Sequence, residues 1–528
     1  ISKALTKGPD LKVEILDAGA DLKGCKVPWK VHEAKRKDTG APATVLAFEI
    51  TGASNEVEIS CARNALHRFK TMRHPHVPLY LDGFEPAEGA KSGKVLIAVE
   101  HIKPLEQILS QASSTPSSPG GSAEKDIHAW GLWCIVQALQ FINADCKMVH
   151  GNICIPSIFV SDCGDWKLGG LELMGEAGER DGGLFRRAEA VRVARVMCPE
   201  VSRGQWASVA ATPHAVDAWM LGCLFYEVHN GPLTRPEDLK NVAAIPQILL
   251  PTYKALLKGA PEQRPTAAAV AEAPYFKAEA VAINHELAEL ALKDAGEKEA
   301  FLVRLAAAMD GIPDQQLRRK ILPELLKALE FGGAGTAAML PLLRIGGRMS
   351  ADDFAKEIVP GVVRCFASTD RGTRVALLQN LPSYAAHLTP ALVERDIYPQ
   401  VATGFTDSVA ALRELSVKSL VHLVPKLSER LINSQVLRSV AGLLQDPEGS
   451  IRCNTTICLA KLAPTFSQAT RDKVLLPSFA RALADPFPPA RMAGLMALAS
   501  TLDYYPAAEL ARRVVPAAAG LSIDGEAG

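Results

Sequence analysis

The chain has 528 residues, with 58 Lys and Arg balanced by 58 Asp and Glu, so no whole-chain charge draws it to nucleic acid or to an anionic membrane. Its length exceeds what a single hydrophobic core organises, and two or more domains are expected. No apolar run reaches the roughly 18 to 20 residues of a bilayer span, and the opening ISKALTKGPDLKVEIL lacks the apolar region of a signal peptide. The eleven cysteines, among them Cys25, Cys61 and Cys154, form no Cys-x-x-Cys or Cys/His set. They predict buried thiols in a reducing compartment, in a soluble protein of cytosol or nucleus.

In chain order, residues 11–110 hold short β-rich runs (WKVHEAK, ATVLAFEI, KVLIAVEHI) separated by turn residues such as Asp38-Thr39-Gly40, a small antiparallel sheet. The segment 110–126, SQASSTPSSPGGSAEKD, has a Ser/Pro/Gly content that predicts a flexible loop. From Asp126 onward Trp130, Leu132, Ile135, Val136 and Leu139 fall on one helical face. A sheet lobe followed by a helical lobe gives a two-lobed α+β domain over residues 1–275.

From 276 to 528 the chain is Ala/Leu-rich and periodic. Proline recurs at Pro323, Pro360, Pro399, Pro477 and Pro516, with intervals of 37, 39, 78 and 39. Asp407, Asp446 and Asp485 are 39 apart, as are Arg374, Arg413, Arg452 and Arg491. A helix pair with proline in this period matches the HEAT class of repeat, whose units stack into a solenoid. The Asp and Arg rows are expected to form inter-repeat ion pairs and helix caps, ahead of an arginine row that contacts an anionic partner. The chain stops at Gly528 after a proline-marked helix and without a polar capping repeat, so further sequence is expected beyond it.

Several landmarks in the first domain resemble those of protein kinases. His74-Pro75 follows the position of the family's C-helix, Cys198-Pro199-Glu200 stands for Ala-Pro-Glu, and Asp217-Ala218-Trp219-Met220-Leu221-Gly222 matches Asp-x-Trp-x-x-Gly. Arg264 matches the arginine that pairs with the Glu of Ala-Pro-Glu, so Glu200, Asp217 and Arg264 are read as keeping the fold. The resemblance also places substitutions at the chemical positions. The glycine-rich loop appears as Gly24-Cys25-Lys26-Val27-Pro28-Trp29-Lys30-Val31, where Pro28 and Trp29 would crowd phosphates. Leu46 aligns with the phosphate-binding lysine and Ala65 with its glutamate partner. His150-Gly151-Asn152 through Ser157 replaces the catalytic loop, leaving Asn152 for the base and Ser157 for a metal ligand. Gly170-Leu171-Glu172 replaces Asp-Phe-Gly, with Gly170 at the magnesium carboxylate. No catalytic residue, cofactor or metal is expected.

The pairing of an inactive kinase domain with HEAT repeats resembles the Scy1-like pseudokinase family and, within it, the branch of N-terminal kinase-like proteins. Stretches carrying the resemblance include Arg68-Phe69-Lys70-Thr71-Met72-Arg73-His74-Pro75, Trp166-Lys167-Leu168-Gly169-Gly170-Leu171 and Ile451-Arg452-Cys453-Asn454-Thr455-Thr456, so it runs through both domains. The expected fold is an α+β two-lobed protein-kinase-like fold followed by an all-α HEAT-repeat solenoid. The resemblance implies a scaffold of Golgi-to-endoplasmic-reticulum traffic, peripheral at Golgi or ER-Golgi intermediate membranes. Its implied partners are the COPI coat and Arf-type GTPase machinery, with self-association through the HEAT region. The family's basic C-terminal coat-binding motif is not among these 528 residues. One alternative is an adaptor for nuclear export of transfer RNA, suggested by a fungal branch and by the clusters Lys35-Arg36-Lys37 and Arg318-Arg319-Lys320, which are also ordinary solvated faces. A second is a weakly active kinase using Glu172.

Overall fold

The computed structural model describes residues 11–90, 92–114, 122–176, 183–331, 335–523 and 525. The chain divides into two compact units, one of Ile1–Leu287 with Gly311–Lys320, the other of Ala288–Asp310 with Ile321–Gly528.

The first unit opens with strands β1 (Val13–Ile15), β2 (Ala20–Asp21), β3 (Trp29–Arg36) and β4 (Pro42–Ile50). Helix α1 (Glu56–Thr71), β5 (Tyr80–Phe84) and β6 (Gly93–Glu100) follow. The sheet is antiparallel in the order β1-β3-β4-β6-β5, with β2 also on β3. Asp38-Thr39-Gly40 forms the β3–β4 turn. Gly40 takes φ +69°, a conformation open to glycine, and Arg36 pairs with Asp38 across the turn at 2.7 Å. Helix α1 starts in a capping box: Asn55 accepts from the Glu58 N–H, and the Glu58 carboxylate accepts from the Asn55 N–H.

Helices α2 (Leu105–Ser114) and α3 (Ser122–Gln140) run into the Ser/Pro/Gly segment from either side; residues 115–121 lie outside the described residues, as do 524 and 526–528 at the chain end. Helix α4 (His214–Asn230) is almost wholly buried. One apolar core joins the inner face of the sheet, including Leu46 and Phe48, to Ile135 and Leu139 of α3 and Leu221 and Leu224 of α4.

In the second unit, α5 (Arg371–Tyr384), α6 (Ala410–Leu423), α7 (Gly449–Leu462) and α8 (Pro488–Ser500) stack on one another in succession. Between them run the proline-bearing helical stretches. A wide π-type turn occurs at Val393–Ile397, just before Pro399, and again at Leu510–Val514, before Pro516. The same turn at Ile432–Val436 precedes Arg438, and Pro477 sits inside a continuous helix Gln468–Leu483. The turn thus occurs without proline and proline without the turn, so it is not a response to proline's missing N–H.

The recurring Asp and Arg form the expected ladder. Arg413 grips Asp446 through two bonds of 2.7 and 2.9 Å, and Arg452 grips Asp485 at 2.7 Å twice. Each arginine also donates to the backbone carbonyl of its own repeat's aspartate, Arg413 to Asp407 at 2.9 Å and Arg452 to Asp446 at 2.8 Å. Each aspartate in turn caps the turn after it, accepting from the N–H of Val409, Glu448 or Phe487. One step earlier the pattern changes: Arg374 donates to Gln400 O and Thr403 Oγ1, and Asp407 is met by Arg371 at 3.5 Å.

Candidate functional site

The frame of the first unit's cleft is built on two buried polar clusters. Asp217, at the start of α4, accepts from the backbone N–H groups of His150 and Gly151 and from Asn143 Nδ2, each at 2.8 Å. This fixes the loop 150–157 to the helix beneath it. Arg264 forms a fork with Glu200 at 2.6 and 2.9 Å, fully buried, and lies 5.0 Å from the Trp219 ring centre. Burial pushes the Glu200 carboxyl up, and the Arg264 hydrogen bonds bring it below the ordinary glutamate value.

Of the residues singled out from the sequence, Asn152, Ser157 and Gly170 meet in one place. Leu46, opposite Val31 and Ile97 in the sheet, and Ala65 on α1 are both buried in the core. An aliphatic pair offers no ionic contact to a phosphate. Asn152 projects from the loop below and donates to Gly170 O at 3.2 Å and to Glu172 Oε2 at 3.0 Å. Ser157 lies beside Gly170, its hydroxyl donating to Asn152 O at 2.5 Å.

Trp29, at the start of β3, reaches Glu172 from above, its Nε1–H donating to Oε1 at 2.7 Å. Glu172 is thus held by an indole on one oxygen and an amide on the other. Burial raises its carboxyl above the ordinary glutamate value, and hydrogen bonds from its own backbone, Trp29 and Asn152 only partly counter this. Asn64 on α1 closes the side, donating to Glu172 O and Met174 O at 2.9 Å each. The chain Trp29–Glu172–Asn152 therefore links sheet to loop through the interior of the cleft.

Three glycines show how tightly the walls approach. A Cβ on Gly24 would lie 2.8 Å from the Pro156 ring, and one on Gly151 would lie 2.7 Å from Phe185. At Gly170, with φ +69°, a Cβ would lie 2.5 Å from Ser157 Oγ and 2.6 Å from its Cβ. A carboxylate side chain at position 170 would meet filled space. Among the described residues no group of three or more His, Cys, Asp or Glu side chains is placed to hold a metal ion.

The sequence reading named Trp29 and Glu172 separately and missed their bond. A buried indole N–H requires an acceptor, and this was the signal available. Asn64 gave none. The basic clusters are largely engaged: Lys35 pairs with Glu14 at 3.1 Å, and Lys320 with Asp165 at 2.6 Å while lying over the Trp130 ring at 4.3 Å. No helix among the described residues is long and apolar enough to cross a membrane.

The chain is 34% identical over 377 residues to a Dictyostelium discoideum protein described as probable inactive serine/threonine-protein kinase scy1, covering 71% of this chain and 44% of that one. It is 26% identical over 379 residues to a Mus musculus protein associating with the carboxyl-terminal domain of ezrin, covering 69% and 48%. The crystal structure of Cex1p shares the fold, with a TM-score of 0.57 at 19% identity over 98% of this chain and 93% of that one. No protein-family model matches the chain. The chain spans under half the length of these two curated relatives. The class defined is a kinase-like two-lobed fold followed by a HEAT solenoid. The chain belongs to the Scy1-like pseudokinase family.

Proposed function

We propose that the chain is a catalytically inactive scaffold of intracellular membrane traffic, on the COPI-linked route from Golgi to endoplasmic reticulum, which binds its protein partners along the HEAT solenoid. The observation that carries the inactive half is the Trp29–Glu172–Asn152 chain, which takes up both Glu172 oxygens inside the cleft. On this reading Leu46, Ala65, Asn152, Ser157 and Gly170 stand where an active kinase carries its lysine, its glutamate, its base and its two metal ligands. Glu200, Asp217 and Arg264 keep the frame that those substitutions leave. The trafficking half follows from family membership, with coatomer and Arf-type GTPases as partners, self-association through the repeats and a peripheral position on Golgi membranes.

Two measurements test it. ATP with Mg²⁺ is expected to leave the melting temperature unchanged, because a ligand that does not bind the native state cannot shift it. Phosphoryl transfer that survives purification and is abolished by Glu172→Ala would overturn the inactive reading. Purified coatomer and GTP-loaded Arf are expected to be retained by the immobilised chain; retention of neither overturns the trafficking reading.

A further inference from the structure

Between α7 and α8 the second unit carries a groove of about 510 Å³, lined by Ile457 and Lys461 of α7, by Met492, Met496 and Ser500 of α8, and by Tyr504 just beyond it. Ile457 is 38% exposed, Met492 42% and Met496 66%. The repeat itself does not require these apolar side chains. One interval of the repeat earlier, the positions of Cys453 and Ile457 are held by Glu414 and Lys418. Those two pair at 2.5 Å, and Asn454 Nδ2 donates to Glu414 at 3.1 Å. Met492 and Met496 hold the same two positions one interval later. A charged pair on α6 has thus given way to apolar side chains on α7 and again on α8.

Cys453, Ile457 and Lys461 stand at i, i+4 and i+8 on α7, and Met492, Met496 and Ser500 do the same on α8. Two such rows run for about 12 Å, a little over two turns, and a groove between rows of this spacing accepts the ridge of another helix. The lining offers an incoming backbone little to bond. Beside Lys461 its polar side chains are Ser500, Tyr504 and Cys453, whose Sγ already donates to Pro489 O at 3.4 Å. A helix satisfies its own backbone, whereas a strand laid here would bury unpaired N–H and C=O groups. Lys461 is the one charged side chain in the lining, and its ammonium has no ion pair or hydrogen bond among the described residues. The nearby arginines are taken, Arg452 by Asp485 and Arg471 by Ala463 O and Pro464 O at 2.9 Å each, with its guanidinium 4.2 Å from the Tyr504 ring centre.

We infer that this groove is a docking site for an amphipathic helix of a partner protein, whose apolar stripe lies between the two rows and whose Asp or Glu meets Lys461. The two methionines, unbranched and polarizable, shape themselves to the incoming side chains. The free ammonium selects an acidic flank and rejects a basic one. The inference rests on the reading of the solenoid as the partner-binding surface and deepens it. Coatomer or Arf retained elsewhere on the solenoid would leave that reading standing even where the groove fails.

The test selects from a displayed library of helix-forming peptides, about 18 residues long, on the immobilised full chain, with Met496→Glu and Lys461→Ala carried alongside. Both altered side chains are exposed, so the melting temperature is expected to stay unchanged. The enriched peptides are expected to share an apolar stripe flanked by an acidic residue. In fluorescence anisotropy they are expected to bind Met496→Glu about ten-fold more weakly than the unaltered chain. Lys461→Ala is expected to weaken them about two- to five-fold and to flatten their salt dependence. Equal binding to all three proteins, an empty selection, or an enriched set without the stripe or the acidic residue overturns the inference. So does self-association in sedimentation that Met496→Glu abolishes, which marks a second copy as the occupant. Flotation with phosphatidylserine vesicles that the same variant abolishes also overturns it, and marks a lipid surface.

Discussion

Trp29 Nε1 and Glu172 Oε1 meet at 2.7 Å across 143 residues of sequence, and their bond joins the first lobe's sheet to the loop after the strand Trp166–Leu168. Replacing Trp29 by Phe keeps the ring in the cleft but removes the donor. Leaving a buried acceptor short of a partner costs about 1 to 3 kcal/mol, so Trp29→Phe is expected to lower stability by that amount in urea unfolding of the full chain.

Glu172 also sets a pH dependence. Its carboxyl is raised in the folded chain, so the unfolded chain loses this proton first. Its contribution to stability is complete below the unfolded value of about 4.3 and is lost as pH rises through the folded value. As pH rises above about 4.3, the unaltered chain should therefore lose stability relative to Glu172→Gln, which has no proton to release. The depressed values of His76, about 3, and His229, about 4, act in the opposite direction but equally in both proteins. Their effect cancels in the difference. A difference that does not change with pH would rule this out.

Gly170→Asp tests whether the cleft can be repaired by one carboxylate. A Cβ there meets Ser157 at 2.5 Å, on a backbone with φ +69°, a region that costs a non-glycine residue about 1 kcal/mol or more before any clash. The variant is expected to melt at a lower temperature and to gain no Mg·ATP-dependent shift. A nucleotide-dependent rise in melting temperature would show that the walls yield.

Arg264 and Glu200 should behave as one buried unit. Arg264→Met strands a carboxylate in the interior, at a cost of about 3 to 5 kcal/mol. Glu200→Leu in the same chain removes the stranded charge, and most of the loss should return. Additive losses in the double-mutant cycle would contradict the pairing.

The parts of this molecule that a sequence reveals are those that repeat or that keep a residue type at a fixed separation. Asp446 and Asp485, with Arg413 and Arg452, announce their ladder because each rung repeats the same 33-residue step. The earlier rung was not legible, since Arg371 takes the place of Arg374 beside Asp407 and periodicity points to the wrong residue. In the cleft, the residue types at positions 46, 65, 152, 157 and 170 could be read, but not what fills the space between them. That depends on a rotamer of Trp29 and on the reach of Asn64, both long-range.

The solenoid ladder yields the last expectation. The Arg452 hydrogen bond, foremost, together with the Phe487 N–H holds the Asp485 carboxyl below its ordinary value against the opposing effect of burial. At Asp446 burial is the largest influence and opposes ionisation, yet Arg413 and the Glu448 N–H together still bring the carboxyl down. Both groups are depressed in the folded chain, so their stabilisation is present above the unfolded value of about 3.9 and is lost as pH falls through the folded one. Because each rung joins neighbouring repeats, and repeat arrays unfold according to the strength of their interfaces, losing a rung should loosen one junction rather than the whole array. Asp485→Asn is therefore expected to broaden the unfolding transition of the repeats at neutral pH and to reduce its further broadening as pH falls below about 3.9. Hydrogen exchange should place the new opening between α7 and α8. Uniform loss of protection along the solenoid would show that the rung does not act at its own junction.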